Sequence, residues 1–87
     1  MMKLKVREVG EGLHHSEVVV SVHTNGGDEG LVLDKRSLRG GYISVGYPIR
    51  SDGDAYLVEL PRETSSGNWR VWVDKTQLTN VKEKGAA

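Results

Sequence analysis

The sequence predicts an all-β fold, a small barrel of five to six antiparallel strands with one short 3-10 turn near the C-terminus. Three observations carry the prediction. β-Branched and aromatic residues alternate with polar ones over short stretches, and Gly, Asp, Asn and Ser interrupt those stretches at short intervals. There are 11 glycines and no phenylalanine in 87 residues, a balance that suits strands and tight turns better than helices. So many strands in so short a chain must curl on themselves, because a flat sheet leaves one apolar face in water. Residues 1–87 are expected to be one domain.

Residues 3–9 alternate, with Leu4 and Val6 on one side and Lys3, Lys5 and Arg7 on the other. Period two predicts a half-buried strand, and the lysines place it at an edge. Gly10-Glu11-Gly12 ends it, and His14-His15-Ser16 leads to a second strand over Glu17–Thr24. There Val18, Val20 and Val22 share one face, opposite Glu17, Val19, Ser21 and His23. Asn25-Gly26-Gly27-Asp28 is a turn, and residues 29–33 form a short strand. Residues 34–41 read as a loop with room for one helical turn over 34–38.

In the stretch 42–50, Ile43, Val45, Tyr47 and Ile49 fall on one face. Pro48 cannot donate to a ladder, so this strand lies at an edge or bulges there. After Ser51-Asp52-Gly53-Asp54, residues 55–62 set Tyr56, Val58 and Leu60 against Ala55, Leu57 and Glu59. After Thr64-Ser65-Ser66-Gly67, residues 68–74 set Trp69, Val71 and Val73 on one face, expected inside, and Arg70, Trp72 and Asp74 on the other; the rotated alternative puts Trp72 in the core. Residues 75–81 are expected to pin the end of the chain, and 82–87 to fray.

Composition narrows the class of function. Twelve basic and twelve acidic side chains give zero net charge, which counts against non-specific nucleic-acid binding. The chain has no cysteine, so neither a disulfide nor a thiolate metal site staples it. That suits a reducing cytoplasm, the expected location. No apolar run reaches the ~20 residues of a membrane span, and residues 1–9 are too charged for a signal peptide. A domain this small is marginal on its own, which favours self-association.

The run Trp69-Arg70-Val71-Trp72-Val73-Asp74-Lys75-Thr76-Gln77-Leu78-Thr79-Asn80-Val81 resembles the end of an SH3-like barrel. The resemblance implies a strand, a 3-10 turn whose last apolar residue, Leu78, plugs the barrel, and a final short strand. The Ala-Leu-Tyr-Asp-Tyr signature and Trp-Trp pair of the proline-binding members are missing. Gly53-Asp54-Ala55-Tyr56-Leu57-Val58-Glu59 followed by a Trp-containing strand is similar in layout to type II plasmid-borne dihydrofolate reductases. The pore-lining Val-Gln-Ile-Tyr stretch of that family is replaced by Trp69-Arg70-Val71-Trp72, so the activity is not implied. The chain also looks like short bacterial orphan proteins encoded in mobile integron cassettes.

Two strands, Val18-Val19-Val20 and Tyr56-Leu57-Val58, carry apolar residues on both faces. Part of the outer surface is therefore expected to be covered, by Leu4 and Val6 or by a second copy of the chain. The candidate contact residues are Arg70 and Trp72, which supply energy, with Leu57 and Glu59 on the paired strand and Tyr42 and Arg50 extending the patch.

No catalytic residues, cofactor or metal ligands are assigned. His14, His15 and His23 lack zinc spacing, and no nucleophile, base and orienting acid form a recognisable set. The expectation is a self-associating, non-enzymatic binding or adaptor module for a protein or small-molecule ligand. One alternative is an enzyme whose site forms only between subunits. The other is a nucleic-acid-binding barrel using Lys3, Lys5, Arg7, Lys35, Arg36 and Arg39.

Overall fold

The computed structural model describes residues 2–80. They form nine strands: β1 (Met2–Lys5), β2 (Arg7–Glu11), β3 (Glu17–Thr24), β4 (Gly27–Asp34), β5 (Tyr42–Val45), β6 (Arg50–Asp52), β7 (Ala55–Glu59), β8 (Arg70–Asp74) and β9 (Leu78–Asn80). Single 3-10 turns span Lys35–Ser37 and Lys75–Gln77, and there is no α-helix among the described residues. The strands pair antiparallel into three sheets: A (β5-β1-β9), B (β2-β3-β4) and C (β6-β7-β8). The fold is thus all-β, as its sequence predicts. The expected single barrel of five to six strands is not what forms, because the ladders do not join into one closed sheet.

Two corners account for two of the additional strands and for the open ladders, and β9 is the third. The alternating stretch 3–9 bends at Val6, which is buried and donates its N–H to the Gly41 carbonyl at 2.9 Å. Its halves become β1 in sheet A and β2 in sheet B. The stretch 42–50 breaks between Val45 and Arg50, around Pro48, which has no N–H to give a ladder. Its halves become β5 in sheet A and β6 in sheet C. Elsewhere sheets meet through single bonds: Asn25 N–H to the Trp72 carbonyl (2.9 Å) links B to C, and Ser65 N–H to the Gly30 carbonyl (2.8 Å) ties the 64–67 loop to β4.

The remaining differences are local. Residues 29–33 grow to the eight-residue β4, because Thr24 pairs with Gly27 around a two-residue Asn25-Gly26 connection and β3 zips along its whole length. The turn expected over 34–38 is present, with the Asp34 carboxylate accepting from the Arg36 N–H at 2.9 Å. Leu78 opens β9 opposite Leu4 and packs, partly buried, against the core. The expectations for Val81 and for residues 82–87 lie outside the described residues.

The core is aliphatic. Leu4, Val20, Val22, Leu31, Ile43, Val58 and Val73 are its best-buried side chains, and Tyr56 packs at its margin. Leu4 and Val6 belong to this core and do not cover an outer face. Trp69, expected inside, is 50% exposed, and Tyr47 (66%) and Ile49 (44%), read on one face with Ile43 and Val45, are exposed where those two are buried. Each sits beyond the end of its strand, at the corner before β6 or just ahead of β8, where alternation no longer dictates direction. The molecule is a slab of 38 × 33 × 16 Å.

Candidate functional site

Sheet C carries most of the candidate residues. Val71 and Val73 of β8 are buried, so strand alternation turns Arg70, Trp72 and Asp74 outward. On the neighbouring strand Trp72 faces Leu57 and Arg70 faces Glu59. On β6, Arg50 faces Leu57. Arg50, Leu57 and Trp72 therefore form one row across three strands.

The Trp72 carbonyl accepts from Asn25, so the backbone polar groups of Trp72 point away from β7. Leu57 and Trp72 are then a non-hydrogen-bonded pair, the kind in which opposed side chains come closest, with Cα atoms about 4.5 Å apart. Beside the row, Arg70 Nε donates to Glu59 Oε2 at 3.2 Å. Both side chains are more than half exposed, so the pair orients the guanidinium and adds at most about 1 kcal/mol. Tyr42 stands elsewhere: it lies on β5 in sheet A, opposite Lys5.

A cleft of about 620 Å³ is lined by Arg70, Trp72, Asp52, Asn25, Gly26 and Glu29 among others. Glu29 ties this cleft to the 64–68 loop through one carboxylate oxygen, Oε1. Its carboxylate accepts from the hydroxyls of Thr64 (2.6 Å) and Ser66 and from Asn68 Nδ2 (3.4 Å), clamping the 64–68 loop against β4. The Ser66 and Thr64 hydroxyls hold the Glu29 carboxyl below its ordinary range, because they stabilise the charged form.

A second cleft, of about 490 Å³, lies between sheet B and the Lys75–Gln77 turn. It is lined by Lys5, Arg7, Ser21, His23, Asp28 and Asp74 among others. His23 Nδ1 is 2.8 Å from Asp28 Oδ1. A neutral ring in this pair carries its proton on Nδ1, which leaves Nε2 as an acceptor. Ser21 shares the cleft but makes no hydrogen bond to the ring. Asp74 is engaged in capping: its carboxylate accepts from the Thr76 N–H (2.9 Å) and hydroxyl (2.8 Å), which holds its pKa low. The His23–Asp28 pair escapes a sequence reading because its members lie five positions apart. The two-residue hairpin loop is the signal that finds it, since that loop sets position 23 opposite 28.

A third, smaller cleft of about 180 Å³ is lined by Lys3, Arg36, Arg39, Tyr42 and Ser44. Among the described residues no group of three or more His, Cys, Asp or Glu is placed to hold a metal ion. No helix among them is long and apolar enough to cross a membrane. Comparison with protein-family models, with curated proteins and with solved structures finds no match. Surface geometry is therefore the ground for a functional reading.

Proposed function

We propose that the chain is a non-enzymatic binding module that self-associates through the outer face of sheet C. The observation that supports this reading is the cross-strand row Arg50–Leu57–Trp72. A half-buried indole in register with a leucine, with Arg50 at the far end of the row and Arg70 two residues before Trp72 on β8, has the composition of a binding hot spot. Ile49 lengthens the apolar surface at the sheet edge, where its N–H donates to the Leu57 carbonyl at 2.8 Å while its side chain stays exposed. A second copy related by two-fold symmetry would cover both patches at once. The order β8, 3-10 turn, β9, with Leu78 on the core, is the part of the SH3-like pattern that we read the chain as keeping.

Light scattering across a concentration series tests the proposal. The wild type is expected to gain mass with concentration. Trp72→Ala is expected to weaken association at least about 30-fold, the equivalent of a 2 kcal/mol hot spot. Circular dichroism checks that the variant stays folded, and Arg50→Glu provides a second probe of the same row. A wild type that stays monomeric refutes self-association, and variants that associate as the wild type does refute this face.

A further inference from the structure

Net neutrality conceals a segregation of charge. Sheet A is built from Met2–Lys5, Tyr42–Val45 and Leu78–Asn80, and it contains two lysines and no carboxylate. Met2 and Leu4 are buried, which turns Lys3 and Lys5 to the outer face. Hydroxyl-bearing residues are their neighbours in register: Thr79 and Ser44 flank Lys3, and Tyr42 faces Lys5. None of the three ion pairs among the described residues includes Lys3, Lys5, Arg7 or Arg39.

The two clefts beside this face extend it. The smaller one joins Lys3 to Arg39 and Tyr42, and the one of about 490 Å³ joins Lys5 to Arg7 and His23. Two carboxylates also line the second cleft, with Asp28 hydrogen-bonded to His23 and Asp74 to Thr76. A cationic stripe therefore runs Arg39, Lys3, Lys5, Arg7, with the half-buried Tyr42 ring beside it.

We infer that this stripe binds the backbone of single-stranded nucleic acid, with Tyr42 as a stacking platform. Ammonium and guanidinium groups interleaved with hydroxyls are the donors that phosphates take. The lysine anchors lie two residues apart on one strand, about 6.6 Å at ~3.3 Å per residue. Reading a duplex calls for a helix or a β-ribbon in the major groove. The described residues hold no α-helix, and their longest ribbon, β3–β4, carries Asp28 and Glu29 near its tip.

Fluorescence anisotropy with a labelled oligo(dT) of about 20 nucleotides, at about 50 and 200 mM salt, tests the inference. Four phosphate contacts at ~0.7 each predict that the logarithm of the association constant falls with that of salt at a slope of about −3. Lys3→Gln/Lys5→Gln should cut the slope to about −1.4. Tyr42→Leu should weaken binding about fivefold or more with the slope unchanged. Arg62→Gln/Lys75→Gln, which removes equal charge elsewhere, should bind as the wild type does. Amide shifts on the wild-type chain give a readout independent of any variant, and the oligonucleotide should move Lys3, Lys5 and Tyr42.

No binding at the lower salt overturns the inference. So does equal weakening in the two double variants, or amide shifts confined to other sheets. Polyglutamate competing as well as the oligonucleotide would reduce the stripe to a general polyanion surface. Phosphatidylserine vesicles held by the lysines in place of the oligonucleotide would make it a membrane surface. Either result also overturns it.

Discussion

Leu4→Ala tests the architecture most directly. β1 is the central strand of sheet A, and Leu4 is 0% exposed, with Ile43 and Leu78 as its partners in register. Truncation removes three buried carbons, worth about 2.4 kcal/mol at ~0.8 each, and the cavity left behind raises the cost to roughly 3–4 kcal/mol. A chain of 87 residues has a total stability of only about 4–13 kcal/mol. The melting temperature should therefore fall by roughly 12–30 °C. Thermal and urea unfolding followed by far-ultraviolet circular dichroism measures this. Leu13→Ala is the control, because Leu13 is 101% exposed and its truncation should cost less than about 0.5 kcal/mol. A loss below about 1 kcal/mol at Leu4, or an equal loss at Leu13, would refute the assigned strand direction. The outward placement of Lys3 and Lys5 would fall with it.

Three other outcomes follow from local geometry. Gly53 sits at φ +57 as the first residue of the two-residue β6–β7 loop, so Gly53→Ala should cost about 1–2 kcal/mol by urea titration. Gly10 has open space around its missing Cβ and no positive φ, so Gly10→Ala should be close to neutral in the same assay. Glu29→Gln should lower the urea midpoint at pH 7 by weakening the clamp on Thr64, Ser66 and Asn68. The folded pKa of Glu29 is depressed, so its contribution is complete above the unfolded value of about 4.3 and is lost as pH falls through the folded one. The gap between wild type and variant should accordingly close below about pH 4, and a gap that widens on acidification would contradict the clamp.

Regular stretches of this fold were legible and its corners were not. β3 runs over Glu17–Thr24 as alternation predicts, because one face of Val18, Val20 and Val22 must be dry. Val71 and Val73 orient β8 in the same way, and that orientation places Arg70 and Trp72 outside. Val6 misleads because it continues an alternating pattern while its backbone changes sheets through a bond to Gly41. Pro48 does announce a break, but a proline alone does not say that the two halves join different sheets. Trp69 misleads because size and apolarity argue for burial, whereas its place just before β8 leaves it half exposed. The sheet C row was readable from hairpin register. Tyr42 was grouped with it because β5 and β6 read as one strand.

The seams between sheets also shape how the molecule opens. Each ladder is only three strands wide, and isolated backbone hydrogen bonds, such as the one from Asn25 to Trp72, tie one ladder to the next. Breathing should begin at these junctions and leave the ladders intact, so the Asn25 and Ser65 amides should exchange with deuterium well before those inside β3. Any ligand that straddles two ladders then acts as a splint and slows exchange at the junction beneath it, even where it never touches the amide.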